Sequence, residues 1–245
     1  LGTKQAEDAI LFGDQEKRRY VGGYVSDDNR YLFISAANST SGNELYLKDL
    51  SVPNSPIVAI HKGFEYDVDV LDNIGTTLFI VTNLKAPNKR IVTVDVANPG
   101  VENWKDLIPE TEQVLNPSTG AGYIFANYMK DAVSVVKQFD YKGKLIRTIA
   151  LPGVGTASGF GGKAKDKELY FSFTNYVTPG TTYTFFPDSG KSSVYVKPKV
   201  DFVSENYESK QVFFTSKDGT KVPMIITHKK GLQLNGKNPT ILYGY

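Results

Sequence analysis

Few residues in this sequence could do covalent chemistry. There are two histidines, His61 and His228, and no cysteine. Thiol catalysis, disulfides and thiolate zinc sites are therefore excluded for these residues, and two histidines without cysteine do not suggest a catalytic metal. Serine acyl transfer needs a nucleophile on a strained strand-to-helix elbow, usually Gly-x-Ser-x-Gly, with a histidine and an orienting acid. No such elbow occurs in the sequence. Thr156-Ala157-Ser158-Gly159 and Thr40-Ser41-Gly42 come nearest, and both read as turns between strands. His61 reads as a loop residue following a strand, with a structural role. His228, at the end of a strand that runs into Lys229-Lys230-Gly231, also reads as structural. The sequence predicts no complete triad within its 245 residues.

The elements that would carry these residues are strands. Aromatic residues make up 12% of the chain, mostly Tyr and Phe, which suits pleated, half-buried surfaces. Basic and acidic residues nearly cancel, 28 against 26, and are scattered. No basic stripe marks a nucleic-acid site. No apolar run approaches the ~20 residues that span a bilayer as a helix, so neither nucleic acid nor membrane is an expected partner. The long apolar runs, such as Tyr31 to Ala37, suit buried strands.

A weak repeat organises the first 200 residues. Ser26-Asp27-Asp28-Asn29-Arg30 leads into Tyr31-Leu32-Phe33-Ile34-Ser35, polar turn residues before an apolar run. The form returns at Asp72-Asn73-Ile74-Gly75 with Thr77 to Val81, at Ser118-Thr119-Gly120 with Gly122 to Ala126, and at Lys165-Asp166-Lys167 with Glu168 to Phe173. Leu32, Leu78, Ile124 and Leu169 thus recur about every 46 residues, a spacing typical of propeller blades. A second strand follows each: Glu44 to Leu47, Arg90 to Val94, Val133 to Val136 and Thr182 to Phe185. Three of these reach an aspartate, Asp49, Asp95 and Asp140. The one helical candidate is a single turn over Glu102 to Leu107, between Gly100 and Pro109. Four blades from roughly Arg18 to Val200 are expected, closing with other chain segments because an open stack exposes its end blades. An ordinary β-sandwich with coincidental spacing is the competing reading.

After Val200 the repeat stops. Ser209 to Thr215 and Val222 to His228 read as paired strands around Ser216-Lys217-Asp218-Gly219-Thr220, which carries an Asp-Gly hairpin signature. Thr240 to Tyr243 reads as the start of a third strand.

These stretches carry a family resemblance. Phe214 to Met224, then Thr227-His228-Lys229-Lys230-Gly231, then Asn238 to Tyr245 resemble the start of the peptidase domain of prolyl oligopeptidases. Gly22-Gly23 with Ser26 to Tyr31, Thr82-Asn83 with Ala86 to Arg90, and Phe173 to Gly180 resemble the same family, so the likeness covers essentially the whole chain. It implies a mainly β fold: about four blades of a seven-bladed propeller over residues 1–200, then the first strands of an α/β-hydrolase domain over residues 201–245. It also implies a serine endopeptidase that cuts short peptides after proline and needs no cofactor. Its partners would be those peptides and the remainder of the same polypeptide, which would hold the triad. By resemblance, Tyr245 supplies its hydroxyl to the oxyanion hole and Val21 lines the substrate cavity. A related oligopeptidase of other specificity, or a free-standing propeller scaffold, are the alternatives. No paired-Glu motif stands out to anchor a substrate amino terminus, which weakens a dipeptidyl version. The compartment stays open between cytoplasm and periplasm, the Asn-rich turns and motif variants leaning toward a bacterial periplasm.

Overall fold

Each repeat unit folds as a four-stranded antiparallel sheet in simple chain order. The computed structural model describes residues 2–14 and 17–244. Blade 1 contains β1 (Tyr20–Val25), β2 (Tyr31–Ala37), β3 (Glu44–Asp49) and β4 (Ile57–His61). Blade 2 contains β5 (Val68–Ile74), β6 (Thr77–Thr82), β7 (Arg90–Asp95) and β8 (Lys105–Ile108). Blade 3 contains β9 (Val114–Gly120), β10 (Tyr123–Lys130), β11 (Val133–Phe139) and β12 (Leu145–Thr148). Blade 4 contains β13 (Thr156–Gly159), β14 (Leu169–Thr174), β15 (Thr181–Phe186) and β16 (Lys191–Val196). The expected four blades are present as a partial β-propeller.

The 46-residue spacing has a physical meaning in this stack. Leu32, Leu78, Ile124 and Leu169 all lie on the second strand of their blade, and the last three point at the preceding blade. Leu78 joins Tyr31, Phe33, Leu45 and Leu47 in the core between blades 1 and 2. Ile124 joins Phe79, Ile91 and Ile108 between blades 2 and 3. Leu169 joins Phe125 and Val136 between blades 3 and 4. Leu32 packs with Ile34 and Tyr46 on the far face of blade 1, where Phe12 covers the cluster. Side chains alternate along a strand, so Leu78 and its neighbour Phe79 serve opposite junctions. Blade 2 is covered on both faces, and β6 accordingly buries Leu78 through Thr82 without a break. In β14 only Leu169, Phe171 and Phe173 are buried, and Tyr170, Ser172 and Thr174 between them are exposed. Each fully buried Leu, Ile or Phe at these junctions contributes about 1.5–3 kcal/mol.

Polar side chains lock neighbouring blades in register. The Asn43 side chain accepts from Val68 N (2.9 Å) and donates to Val68 O (2.8 Å), pairing with the next blade as another strand would. Ser134 does the same for Ala157, accepting from its N at 3.0 Å and donating to its O at 3.4 Å. Both residues sit at the end of the blade where the second strand turns into the third, beside the link that carries the chain to the next blade. The three aspartates flagged by the repeat have a matching local cause. Asp49 accepts from Ser51 N, Asp95 from Ala97 N, and Asp140 from Lys142 N and Lys144 N. Each carboxylate closes the turn between third and fourth strands by mimicking a backbone acceptor.

Several local expectations are corrected. Glu102 to Leu107 is not a helical turn: Val101–Asn103 forms a 3-10 turn and Lys105 opens β8. Thr156 to Gly159 is not a turn but strand β13, paired with β14 from Thr156↔Thr174 to Gly159↔Phe171. His61 is the last residue of β4, not a loop residue.

Beyond the blades, β17 (Tyr207–Thr215) and β18 (Lys221–Lys229) form a two-stranded hairpin. Its turn places Gly219 at φ 87° and has Thr220 N donating to Asp218 Oδ1. The expected third strand over Thr240 to Tyr243 is not formed among the described residues. β17 and β18 pair only with each other, so this stretch has no hydrogen-bonded neighbour, and Ile241 and Leu242 stand 94% and 86% exposed. No helix among the described residues is long and apolar enough to cross a membrane.

Candidate functional site

The first strands β1, β5, β9 and β13 approach one another across successive blades. Side-chain hydrogen bonds tie this inner rail together. Tyr24 Oη donates to Val70 O (2.9 Å), Thr119 Oγ1 to Leu71 O (3.4 Å) and Ser118 Oγ to Gly159 O (2.9 Å). From β10, Asn127 Nδ2 donates to Ala157 O (2.8 Å). These strands border the axis around which the blades stack, so a molecule passing along that axis meets them first.

Val21 lies near the start of β1, opposite Ala36, and is 49% exposed. Gly23 two residues on meets only Leu32 and Phe33 at ordinary contact distance, and Gly22 meets nothing, so the rim beside Val21 is uncrowded. Across the junction, near the start of β5, Asp69 is exposed as a residue, yet loss of solvent on one side of its carboxylate raises its pKa, with Lys89 opposing and Asp67 adding to the rise. Tyr24 is 40% exposed overall, but loss of solvent around its hydroxyl, and then the charge of Asp69, push the phenol up against the hydrogen bond to Val70. The strand pattern Val68-Asp69-Val70 carried this signal, since an acid between two core-facing valines must point to the other face.

The opposite end of the inner rail holds a cavity of ≈ 200 Å³, whose lining includes Tyr24, Asp27, Phe33, Asp72, Thr119 and Gly162. Tyr141, in the β11–β12 turn, donates its hydroxyl to Asp72, one of the lining residues. Burial, then the Asp72 carboxylate, raise that phenol's pKa, which keeps it a donor.

The residues with nucleophile or base chemistry are not brought together. Ser158 is exposed on β13, Ser41 is in the β2–β3 turn, and among the described residues no histidine is hydrogen-bonded to a serine. His228 Nδ1 faces Lys229 O at 2.9 Å, and its Nε2 lies 3.7 Å from Glu208. His61 is buried, its Nε2 has no hydrogen-bond partner, and its ring lies 6.3 Å from that of Tyr66. Tyr245, the resemblance-based oxyanion donor, lies outside the described residues.

Burial holds the His61 pKa below its ordinary 6.5, against the opposing charges of Glu65 and Glu44. The folded state therefore prefers the neutral ring. Its contribution is fully present above the unfolded value and is lost as pH falls below it, because the unfolded chain then binds the extra proton. A His61→Gln variant is expected to show a shallower loss of thermal stability than the parent between about pH 7 and pH 5. Parallel melting curves with the same slope against pH would remove His61 from the acid response.

The arrangement and the sequence have counterparts among known proteins. The family profile described as prolyl oligopeptidase, N-terminal beta-propeller domain, matches residues 1–198. A prolyl endopeptidase of Elizabethkingia miricola is 56% identical over 246 residues, covering 100% of this chain and 35% of that protein. Prolyl oligopeptidase A of Galerina marginata is 32% identical over 257 residues, covering 100% of this chain and 34% of its own length. A solved prolyl endopeptidase structure matches with a TM-score of 0.82 at 33% identity, over 95% of this chain and 34% of that one. Prolyl oligopeptidase B of Galerina marginata matches with a TM-score of 0.83 at 26% identity, over the same shares. The chain thus spans about a third of the length of these relatives. With four blades in chain order and a profile match over most of its length, the chain belongs to the prolyl oligopeptidase family and carries blades of its N-terminal β-propeller.

Proposed function

We propose that this chain is part of a serine endopeptidase that cleaves short peptides on the carboxyl side of proline. Its blades restrict what reaches the active site. The observation that carries the reading is 56% identity, over the whole of this chain and 35% of the relative's length, to a prolyl endopeptidase, in a chain whose own sequence has no nucleophile elbow. On this reading residues 201–245 begin the hydrolase domain, and the triad belongs to the remainder of the polypeptide. The inner strands are tied laterally by side-chain bonds, which resists widening of the axial passage; an extended peptide fits such a passage and a folded domain does not. Val21, exposed beside Gly22 and Gly23, contacts substrate, and Tyr245 donates to the oxyanion.

The 245-residue chain alone should leave a blocked Gly-Pro chromogenic peptide intact, whereas the full-length protein cleaves it. In the full-length protein Tyr245→Phe should lower kcat by about 10²- to 10³-fold, roughly 3 kcal/mol, because a preorganised donor acts mainly on the negative oxygen of the transition state. KM should change little. Unchanged turnover would remove Tyr245 from the oxyanion hole, and cleavage by the short chain after repurification would overturn the assignment of the triad to other residues.

A further inference from the structure

The inner strands carry formal charge of one sign. On β1, β5, β9 and β13 the charged side chains are Asp69 and Asp72, both on β5, and none of the four strands holds a Lys, Arg or His. Asp72 is engaged, accepting from the Tyr141 hydroxyl and from Asn73 N at 2.8 Å. Asp69 accepts no hydrogen bond and joins no ion pair among the described residues. Val68 and Val70 on either side of it fill the core between blades 1 and 2, so its side chain leaves the strand on the opposite face. The two charges that act on it are occupied with each other. Lys89 Nζ lies 3.8 Å from Asp67 Oδ2, and Asp67 also accepts from Gly42 N at 2.8 Å. The Tyr24 hydroxyl donates to Val70 O and not to the carboxylate. An unpaired carboxylate that has lost water on one side gains more from an arriving cation than a fully solvated one, because less solvent screens the pair.

We infer that Asp69 is a specificity residue whose carboxylate takes a lysine or arginine side chain of the peptide, making basic peptides the preferred substrates; this rests on the peptidase reading above. Asp69 is the second residue of β5, as Val21 is of β1, and Tyr24 ties these two neighbouring inner strands together. A peptide that meets Val21 therefore has Asp69 on the next strand, at the equivalent position. No cation on the inner strands competes with the peptide for it. A single carboxylate also fixes a register. Moving the basic residue along an extended peptide displaces its charge by about 3.3 Å per position, and the attraction falls with that distance.

The test is cleavage of blocked peptides of about eight residues with one proline, carrying Lys, Gln or Glu at each other position in turn, at about pH 8 and low salt. The full-length protein should favour Lys over Glu in kcat/KM by about three- to tenfold, with the preference peaking at one or two adjacent positions. Asp69→Asn should abolish that preference, Asp69→Lys should reverse it, and Asp69→Glu should keep its direction. A merely structural role lowers the rate for every peptide by the same factor and leaves the preference intact, which overturns the assignment. So does a parent without the preference, or one in which it is equally large at every position. Absence of any cleavage after proline by the unmodified protein strikes the peptidase reading instead. Calorimetric titration of the same peptides then decides the role of Asp69. The best Lys peptide should bind the parent about three- to tenfold more tightly than its Glu counterpart, and Asp69→Asn should remove the difference. Equal or undetectable binding of the two by the parent overturns the inference.

Discussion

Phe160→Ala is expected to lower stability by about 3–5 kcal/mol, the range for removing a fully buried aromatic ring. Phe160 follows β13 and is 1% exposed at the junction of blades 3 and 4. Its ring lies 4.6 Å from that of Phe171 at 9°, 5.4 Å from Phe125 at 21°, and 5.4 Å from Phe185 at 82°. Truncation therefore opens a cavity among three other aromatic rings and removes stacked and edge-on contacts worth about 0.5–1.5 kcal/mol per pair beyond burial. The backbone adds a second, separable effect. Phe160 sits at φ 64°, a conformation that costs any residue with a Cβ about 1–2 kcal/mol. Phe160→Gly should consequently be the more stable of the two truncations by about 1 kcal/mol, the reverse of the usual order within a strand. Urea midpoints of the three proteins decide the matter. Equal stability of the Ala and Gly variants would show that the surrounding packing, not the left-handed backbone, sets the cost.

Gly42→Ala is expected to be at least as damaging, about 4 kcal/mol or more, through a different cause. Gly42 lies in the β2–β3 turn at φ 73°, where a Cβ would stand 1.7 Å from Phe64 O and 2.5 Å from Phe64 C. Both atoms are backbone and belong to the link between blades 1 and 2, so no rotamer change relieves the overlap. The neighbouring bonds would go as well. Gly42 N donates to Asp67 Oδ1 at 2.8 Å, and Asn43 next to it holds both polar groups of Val68. Pushing the turn outward thus unhooks blade 2 from blade 1. Gly75→Ala is the matched comparison: it has φ 59°, but nothing lies within 4 Å of its added Cβ. It should cost only the conformational penalty of about 1–2 kcal/mol. Similar melting temperatures for the two variants would show that the link can shift aside, and the close approach would lose its role in holding the junction.

The central strands of the blades were legible in sequence and the edge strands were not. β2, β6, β10 and β14 read correctly because each has hydrogen-bonded neighbours on both sides and at least one buried face, which forces long apolar or alternating runs. β13 was lost because Thr156-Ala157-Ser158-Gly159 borders the axis, and its small residues look like a turn. β8 was lost because its exposed Lys105 and Asp106 carry no core pattern, and the preceding 3-10 turn mimicked a helix. β1 is exposed throughout, so only its place in the repeat could have revealed it. Strands with one neighbour bury little, and a sequence records mainly what is buried.

The candidate site divides in the same way. Sequence alone settled that the chain holds no Gly-x-Ser-x-Gly elbow and no cysteine, since a missing residue type needs no geometry. It also determined the period of the repeat, because an apolar residue returns about every 46 positions at Leu32, Leu78, Ile124 and Leu169. Tertiary structure decided the rest. It buried His61 with an unpaired nitrogen, set Asp69 beside Asp67 and Lys89, and brought Gln211 to a turn 80 residues away. These depend on distances between blades, and an alternating pattern fixes which face a side chain takes without fixing what stands opposite it.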